Sequence, residues 1–201
     1  GMALCERNVG AGSSTCRISI DSDGIVTLYT ALPDTGSGFY TVLRQILGQE
    51  LGVAYDEIKL ENWSTDDVAF ETGVGGSRVT HVAGQAVFRA AQELKQKLAA
   101  TAADLFGWPE DDTGFSQGQV TAPRRAPVSL GDLVSRSGGL LEAGHTYDSE
   151  RDEDITVFCV QIAEVDIDVE TGQVQLTRFT SAHDVGTILN PLGHQGQIDG
   201  T

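Results

Sequence analysis

The chain has 201 residues, of which 40% are hydrophobic and 21% are charged, a balance typical of a globular protein with one or two domains. Its formal net charge of −16 opposes binding to nucleic acid or to an anionic membrane surface. The three cysteines include no C-x-x-C pair. This argues against a disulfide framework, a zinc knuckle or an iron–sulfur site built by this chain alone.

The first elements in chain order alternate between strands and a helix. Alternating apolar residues predict strands over 16–21 and 24–31. Apolar residues at three- and four-residue spacing then predict a helix over 38–52, with a glycine as its stop. A short strand over 57–62 and a polar loop over 63–76 follow.

The middle of the chain is predicted to hold one long helix and a less regular region. An apolar stripe predicts the helix over 77–106, which Gly-Trp-Pro at 107–109 would end. Proline, glycine and aspartate are dense beyond it. We therefore interpret 108–154 as an irregular connection or insertion, with a short helix over 129–136 capped by Ser129.

The last third of the chain predicts a β-hairpin. Apolar side chains recur on one face at Val157, Cys159, Ala163, Val165, Ile167 and Val169, and from 164 to 170 they alternate with acidic ones. The turn at 170–172 leads into a return strand. One face of this hairpin is predicted to be half-buried, with Cys159 packed on it. The acidic row is interpreted as a solvated face and not as a metal site. The predicted units are 14–107, the connection 108–154, and 155–201.

Two glycine-rich turns, each before a predicted helix, are the candidate ligand-binding features. Glycine lets the backbone approach a ligand closely, and the first turn of a helix offers free N–H groups to an anion. The residues concerned are Gly36, Ser37 and Gly38 in the first turn, and Gly75, Gly76, Ser77 and Arg78 in the second. A third segment, 193–200, is rich in glycine and glutamine. The pattern favours a phosphate-bearing ligand held by loops, although such turns also occur as plain connections.

Several other chemistries find no support in the sequence. No nucleophile elbow, P-loop or dinucleotide-binding glycine pattern is present. The four histidines form no H-x-x-x-H pair, so a zinc-hydrolase site is not predicted. The adjacent His183 and Asp184 would point to opposite faces of a strand. Asp66 and Asp67 are interpreted as turn residues and not as metal ligands.

Seven short motifs occur in one order along the chain. They are Asp34-Thr-Gly-Ser-Gly-Phe-Tyr-Thr-Val-Leu, Glu50-Leu-Gly-Val, Ser64-Thr-Asp, Gly75-Gly-Ser-Arg with Ala83-Gly-Gln-Ala, Ala163-Glu-Val-Asp-Ile-Asp with Glu170-Thr-Gly, His183-Asp-Val-Gly with Asn190-Pro, and Gly196-Gln-Ile-Asp-Gly. In this order they resemble the molybdopterin-binding large subunit of the xanthine dehydrogenase and aldehyde oxidase family. The resemblance covers about residues 31–107 and 155–200.

The resemblance implies an α+β fold, with two small two-layer subdomains in which helices pack on mixed sheets. It also implies a molybdenum–pyranopterin (molybdopterin) cofactor, either plain or in the cytosine dinucleotide form. The family oxidises an aldehyde or hydroxylates a purine-like N-heterocycle, with water as the oxygen source. Its electrons leave through iron–sulfur clusters and FAD on other domains or subunits, within an oligomeric enzyme.

The resemblance also assigns roles to residues of this chain. Gly36, Ser37 and Gly38 would approach the dithiolene side of the pterin, and Gln197 would hydrogen-bond the cofactor. The second turn, from Gly75 to Arg78, would lie near the cofactor and its phosphate. Ser37 is a departure, because many relatives have glutamine there.

No catalytic residue and no metal ligand is assigned to this chain. The family takes its catalytic base from a C-terminal Gly-Glu, and this chain has no such dipeptide. We therefore interpret the chain as a central fragment that is inactive alone, in a cytoplasmic enzyme, with a periplasmic location left open. Two alternatives remain: a non-catalytic module that binds an anionic metabolite or a partner protein, and a degenerate family member without molybdenum.

Overall fold

The fold is taken from a computed structural model that describes residues 1–64, 66–67, 70–149 and 155–200. The strands are β1 (Met2–Asn8), β2 (Gly12–Asp21), β3 (Val26–Thr30), β4 (Lys59–Asn62), β5 (Gly114–Ser116), β6 (Gln119–Thr121), β7 (Val128–Ser129), β8 (Leu140–Ser149), β9 (Thr156–Ile167) and β10 (Val174–Asp184). The helices are α1 (Phe39–Leu51), α2 (Val79–Phe106), α3 (Leu130–Ser137) and α4 (Pro191–Asp199).

A four-stranded mixed sheet carries the core. Its order is β4-β3-β2-β8, with β2 antiparallel to both neighbours and β3 parallel to β4. The apolar stripe of α2 packs against β2 and β8, and α1 lies beside α2. Burial of this stripe against Ile18, Ile20 and Leu28 removes large aliphatic side chains from water, which is the main stabilising term of such a layer.

Residues 108–149 contain more regular structure than an irregular connection. They include a 3-10 turn at Glu110–Asp112, the small sheet β5-β6-β7, α3 and β8. Leu130, Leu133 and Val134 of α3 are buried in the same core as the long helix. Exposed and more buried residues alternate along β8, but the strand was missed because few of its more buried positions carry large apolar side chains. The last residues of the predicted connection, 150–154, lie outside the described residues, and the unit boundaries stay a prediction.

A separate three-stranded antiparallel sheet has the order β1-β9-β10. The predicted hairpin is confirmed as β9 and β10. The prediction of a half-buried apolar face is wrong over much of its length, because Val165 is 44% exposed and Ile167 is 57% exposed. Cys159 is only partly buried, and not packed in a core as predicted. An alternating pattern reports two faces, but not whether another element covers one of them.

Three of the four α-helices were predicted from the sequence. Periodicity placed α1, α2 and α3 within a few residues of their observed bounds. The glycine- and glutamine-rich segment 193–200, which was grouped with the ligand-binding turns, is mostly the helix α4, which Pro191 begins at its first position. No described helix has both the length and the apolar character needed to cross a membrane.

Candidate functional site

The first glycine turn has a backbone that only glycine adopts readily. Gly36 has φ 75° and Gly38 has φ 80°, in the left-handed region where a side chain is strained. The Asp34 carboxylate accepts a hydrogen bond from the Gly36 N–H at 2.9 Å, which fixes the turn. Nothing lies within 4 Å of the position that a Cβ on Gly36 would occupy. Residue 36 therefore presents bare backbone to open space.

The far side of this turn packs against the start of α4. Asn190 donates from Nδ2 to the Gly38 carbonyl at 3.1 Å, and its Oδ1 accepts from the Gly193 N–H at 3.1 Å. A Cβ on Gly38 would lie 2.7 Å from Asn190 Nδ2, and one on Gly193 would lie 2.9 Å from the Ser37 carbonyl oxygen. Two of the three predicted segments are thus in direct contact.

The second glycine turn is held against the beginning of β2. The Gly10 N–H donates to the Gly76 carbonyl at 2.7 Å, and a Cβ on Gly10 would lie 3.1 Å from that oxygen. Ser77 has φ 58°, which is uncommon for a residue with a side chain. Gly75, Gly76 and Ser77 are exposed, so the outer side of this turn is open.

Two side chains just before the turn fasten it to β2. The Glu71 carboxylate accepts from the Ser14 hydroxyl at 2.8 Å, from the Thr15 N–H at 3.3 Å and from the Gly73 N–H at 3.2 Å. The Thr72 hydroxyl accepts from a main-chain N–H of β2 at 2.8 Å. These bonds replace water at half-buried polar groups, so the turn is rigid where it leaves the sheet.

The Arg78 side chain holds the second turn through hydrogen bonds to main-chain carbonyls. Its guanidinium donates to the carbonyls of Thr72 at 2.8 Å, Gly73 at 3.0 Å and Ala11 at 3.3 Å. A planar fork of donors suits several carbonyls at once. Arg78 was predicted to lie near the cofactor and its phosphate, whereas its contacts here are with the protein's own backbone. A direct contact between Arg78 and a cofactor stays a prediction.

The two helices that follow the glycine turns begin without a side-chain cap. Gly38 and Arg78 stand at the N-caps of α1 and α2, and neither accepts a capping hydrogen bond through its side chain. In contrast, Ser129 caps α3 through the Asp132 N–H and Asn190 caps α4. Uncapped first-turn N–H groups need a partner from solvent or from a ligand. The uncapped ends are the two that the sequence assigned to a ligand.

Gln197 lies on α4, on the same helix whose start touches the first turn. Its side chain is exposed. The neighbouring Gln195 instead donates from Nε2 to Asp199 at 2.7 Å, within the helix. Gln197 is therefore available for a ligand on the surface of α4, and its predicted bond to the cofactor is untested.

Tyr40 was not singled out from the sequence, yet it supports the first turn. Its hydroxyl oxygen lies 2.6 Å from the Leu32 carbonyl oxygen and 2.7 Å from Asn62 Oδ1. Partial burial raises the pKa of the Tyr40 hydroxyl above its ordinary value, although Asn62 opposes the shift. The hydroxyl stays protonated and ties the start of α1 to the ends of β3 and β4.

Among the described residues, no group of three or more histidine, cysteine or acidic side chains is arranged to hold a metal ion. Within the Ser64–Asp67 turn, the Asp66 N–H donates to Ser64 Oγ at 3.2 Å, as a turn residue does. Thr65 of the same motif lies outside the described residues.

Comparison with known proteins gives a consistent result. A family model described as "molybdopterin cofactor-binding domain" matches residues 1–201. The nicotine 6-hydroxylase large subunit of Paenarthrobacter nicotinovorans is 30% identical over 92% of this chain and 24% of its own length. The chain thus spans about a quarter of that relative.

Solved structures agree on the fold. A crystal structure of a Cu,Mo-CO dehydrogenase in its carbon monoxide reduced state matches all of this chain and 28% of its own, with a TM-score of 0.84 and 28% identity. Quinoline 2-oxidoreductase from Pseudomonas putida 86 matches all of this chain with a TM-score of 0.86 and 25% identity, over 28% of its own chain. The mixed helix and sheet architecture is therefore shared with these proteins.

Proposed function

The chain belongs to the molybdopterin cofactor-binding domain family, and on this premise we propose that it forms part of the cofactor-binding surface in the large subunit of a molybdenum hydroxylase. This chain covers 24% of the matched nicotine 6-hydroxylase large subunit and 28% of the matched CO dehydrogenase chain. Activity, substrate and partners belong to the longer protein and are part of the proposal.

One observation carries this proposal. The two α-helices that follow the glycine turns lack a side-chain cap, unlike the other two described α-helices, and both turns keep open space beside a glycine with positive φ. Gly36 has no atom within 4 Å of its missing Cβ, and Gly75 has only the Arg78 guanidinium at 4.0 Å. Bare backbone next to first-turn N–H groups without a side-chain cap suits an anionic, phosphate-bearing ligand such as the pterin cofactor.

The proposed cofactor-binding residues form two surfaces. Gly36, Ser37 and Gly38, together with Gln197 of α4, would contact the pterin. Gly75, Gly76 and Ser77 would offer N–H groups near its phosphate, and Arg78 would keep that turn in shape. The contact between the first turn and Asn190 supports this grouping, because it places α4 beside the turn.

When bound, the molybdenum centre would supply a two-electron oxidation of an aldehyde or an N-heterocycle, with oxygen taken from water. The residues of this chain would bind and orient the cofactor, and the catalytic base would come from another part of the protein. Iron–sulfur and FAD domains or subunits, an oligomeric assembly, the cytosine dinucleotide form and a cytoplasmic location remain predictions.

The first test measures molybdenum and released pterin per protein in the intact gene product from a host that makes the cofactor. We expect one of each per chain. The variant Gly36→Ala should lower both, since a methyl group would occupy the open space. Gly172→Ala is the matched control, because Gly172 has φ 74° and also nothing within 4 Å of its missing Cβ.

Equal loss in both glycine variants would show that only backbone strain matters, and it would contradict the assigned contact at residue 36. An intact protein without molybdenum would favour the two alternatives, a non-catalytic binding module or a degenerate member. In that case Ser37→Gln is the first reversion, because a longer amide would restore the contact that many relatives have.

A further inference from the structure

Three side chains with redox or acid–base chemistry stand in one row across the sheet β1-β9-β10. Cys5 of β1 is opposite Cys159 of β9, and Cys159 is opposite His183 of β10. Residues directly opposite each other on adjacent strands point to the same face. The row therefore places two thiols side by side, with an imidazole next to the central one.

The hydrogen-bond pattern fixes the spacing of the two cysteines. Gly1 and Ala163 exchange two main-chain bonds, at 2.6 Å and 2.9 Å, and the Val9 N–H donates to the Ile155 carbonyl at 3.0 Å. The register between these pairs is continuous, and hydrogen-bonded pairs alternate along an antiparallel ladder. Cys5 and Cys159 consequently form a hydrogen-bonded pair, whose Cα atoms stand about 5.5 Å apart.

That separation lies within the range that a disulfide spans, although the Cβ atoms of such a pair are farther apart than a relaxed disulfide prefers. A bridge here would be strained, and strained bridges are the more easily reduced ones. The geometry thus fits a reversible link and not a permanent one.

His183 is the closer neighbour of Cys159. Because the main-chain N–H and C=O groups of Cys159 point toward β1, its pairing with β10 is of the non-hydrogen-bonded kind, in which side chains approach more closely. The ring of His183 is held by Ser181, whose Oγ lies 2.7 Å from Nε2. A fixed imidazole beside a thiol can accept its proton.

The two cysteines of this pair are more exposed to solvent than the third cysteine of the chain. Cys5 is exposed and Cys159 is partly exposed, whereas Cys16 is buried in the core of the other sheet. Burial raises the pKa of the Cys16 thiol to about 12, so Cys16 remains an unreactive thiol in the folded protein. The chain thus contains its own internal reference for thiol reactivity.

We propose that Cys5 and Cys159 are an oxidative modification site, which a peroxide converts into a reversible disulfide between β1 and β9. His183 takes the proton of the Cys159 thiol, and the thiolate attacks the peroxide. The sulfur is oxidised to a sulfenic acid while the O–O bond breaks, and the leaving oxygen takes the proton back from His183 and departs as water or an alcohol. The Cys5 thiol then attacks that sulfur and its proton passes to the departing hydroxide, so an S–S bond replaces the S–O bond and water leaves.

The disulfide would restrain β1, and the chain leads directly from β1 to a residue that contacts the second glycine turn. The chain passes from β1 through Val9 to Gly10, whose N–H donates to the Gly76 carbonyl. A covalent bridge at Cys5 would hold this strand to β9 in the oxidised protein and release it on reduction. The proposal concerns thiol chemistry alone and stands whether or not the protein binds molybdopterin.

The test treats the intact protein with hydrogen peroxide, blocks free thiols, and maps its peptides without reduction. We expect a linked peptide pair containing Cys5 and Cys159, lighter by two hydrogen atoms than the sum of its parts and lost on treatment with dithiothreitol. Cys16 should remain as a free thiol. In Cys5→Ser, the sulfenic acid of Cys159 should persist and be trapped by dimedone, and in Cys159→Ser both products should disappear.

His183→Asn removes the base but keeps a side chain that can hydrogen-bond Ser181, and it should slow the linkage without abolishing it. Cys16→Ser is the matched control and should link as fast as the unchanged protein. The proposal is overturned if the oxidised protein contains no Cys5–Cys159 peptide, whether the two thiols stay free, resist labelling, or pair with other partners.

Discussion

The side-chain amide of Asn190 donates to the main-chain carbonyl of Gly38 at 3.1 Å, although the two residues are 152 positions apart in the sequence. This bond joins the first glycine turn to the N-terminus of α4. It explains why both neighbours along the contact, Gly38 and Gly193, have no room for a side chain.

Gly38→Ala should destabilise the protein more than Gly36→Ala. Both positions have positive φ, which costs an alanine on the order of 1 kcal/mol. Only at residue 38 does the added Cβ also meet Asn190 Nδ2, at 2.7 Å. The free energy of unfolding from urea titration measures the difference.

A double-mutant cycle isolates that contact. In an Asn190→Ala background the obstructing amide is absent, so Gly38→Ala should cost no more than Gly36→Ala does. If the extra cost of Gly38→Ala persists in this background, the clash with Asn190 is not its cause.

Asn190→Asp should retain much of the stability that Asn190→Ala loses. The Asn190 side chain both caps α4 through the Gly193 N–H and donates to Gly38. Aspartate keeps the oxygen that caps α4 but puts a second oxygen in place of the donor beside the Gly38 carbonyl, whereas alanine loses both bonds, at about 1 kcal/mol for the cap. Equal destabilisation by the two variants, measured by urea titration, would show that the Gly38 bond carries the effect.

Arg78→Lys should loosen the second glycine turn while leaving the rest of the chain unchanged. Arg78 serves the carbonyls of Thr72, Gly73 and Ala11 at once, and an ammonium lacks the planar fork to do so. Amide hydrogen exchange should become faster over residues 71–76. Arg125→Lys, at an exposed position, is the control. Unchanged exchange in the Arg78 variant would show that the Arg78 hydrogen bonds do not hold the turn.

Stability should fall at alkaline pH through Cys16. Burial raises its pKa from an ordinary 9.0 to about 12 in the folded state, so the stabilising contribution is complete below pH 9 and is lost as pH rises toward 12. At pH 10 the loss is about 1 kcal/mol. Urea titrations at pH 8 and pH 10 should show a smaller decrease in Cys16→Ala. An equal decrease would assign the effect to other groups.

Much of the fold could be predicted from local patterns. The apolar stripe of α2, the capping serine of α3 and the alternation along β9 each specify an element through short-range chemistry. In contrast, β1 and β8 were not predicted, because each is defined by pairing with a strand more than a hundred residues away and neither shows a clear alternation of apolar and polar residues in its sequence.

The candidate site was predicted in part. The positive φ angles of Gly36 and Gly38 agree with the choice of glycine at the first turn. The sequence analysis did not find three residues that hold the turns, Glu71, Thr72 and Tyr40. They act through hydrogen bonds to distant strands and loops, and no sequence motif marks such bonds.

The sequence by itself determined the family, the order of the main elements and the positions of the two glycine turns, because periodicity, turn chemistry and motif order are local properties. Only the tertiary structure decided that Asn190 joins the first turn, that Arg78 binds backbone carbonyls, and that Cys5 stands opposite Cys159. These relationships depend on strand register and packing between remote segments, where many pairings satisfy the same local pattern and only one buries the core.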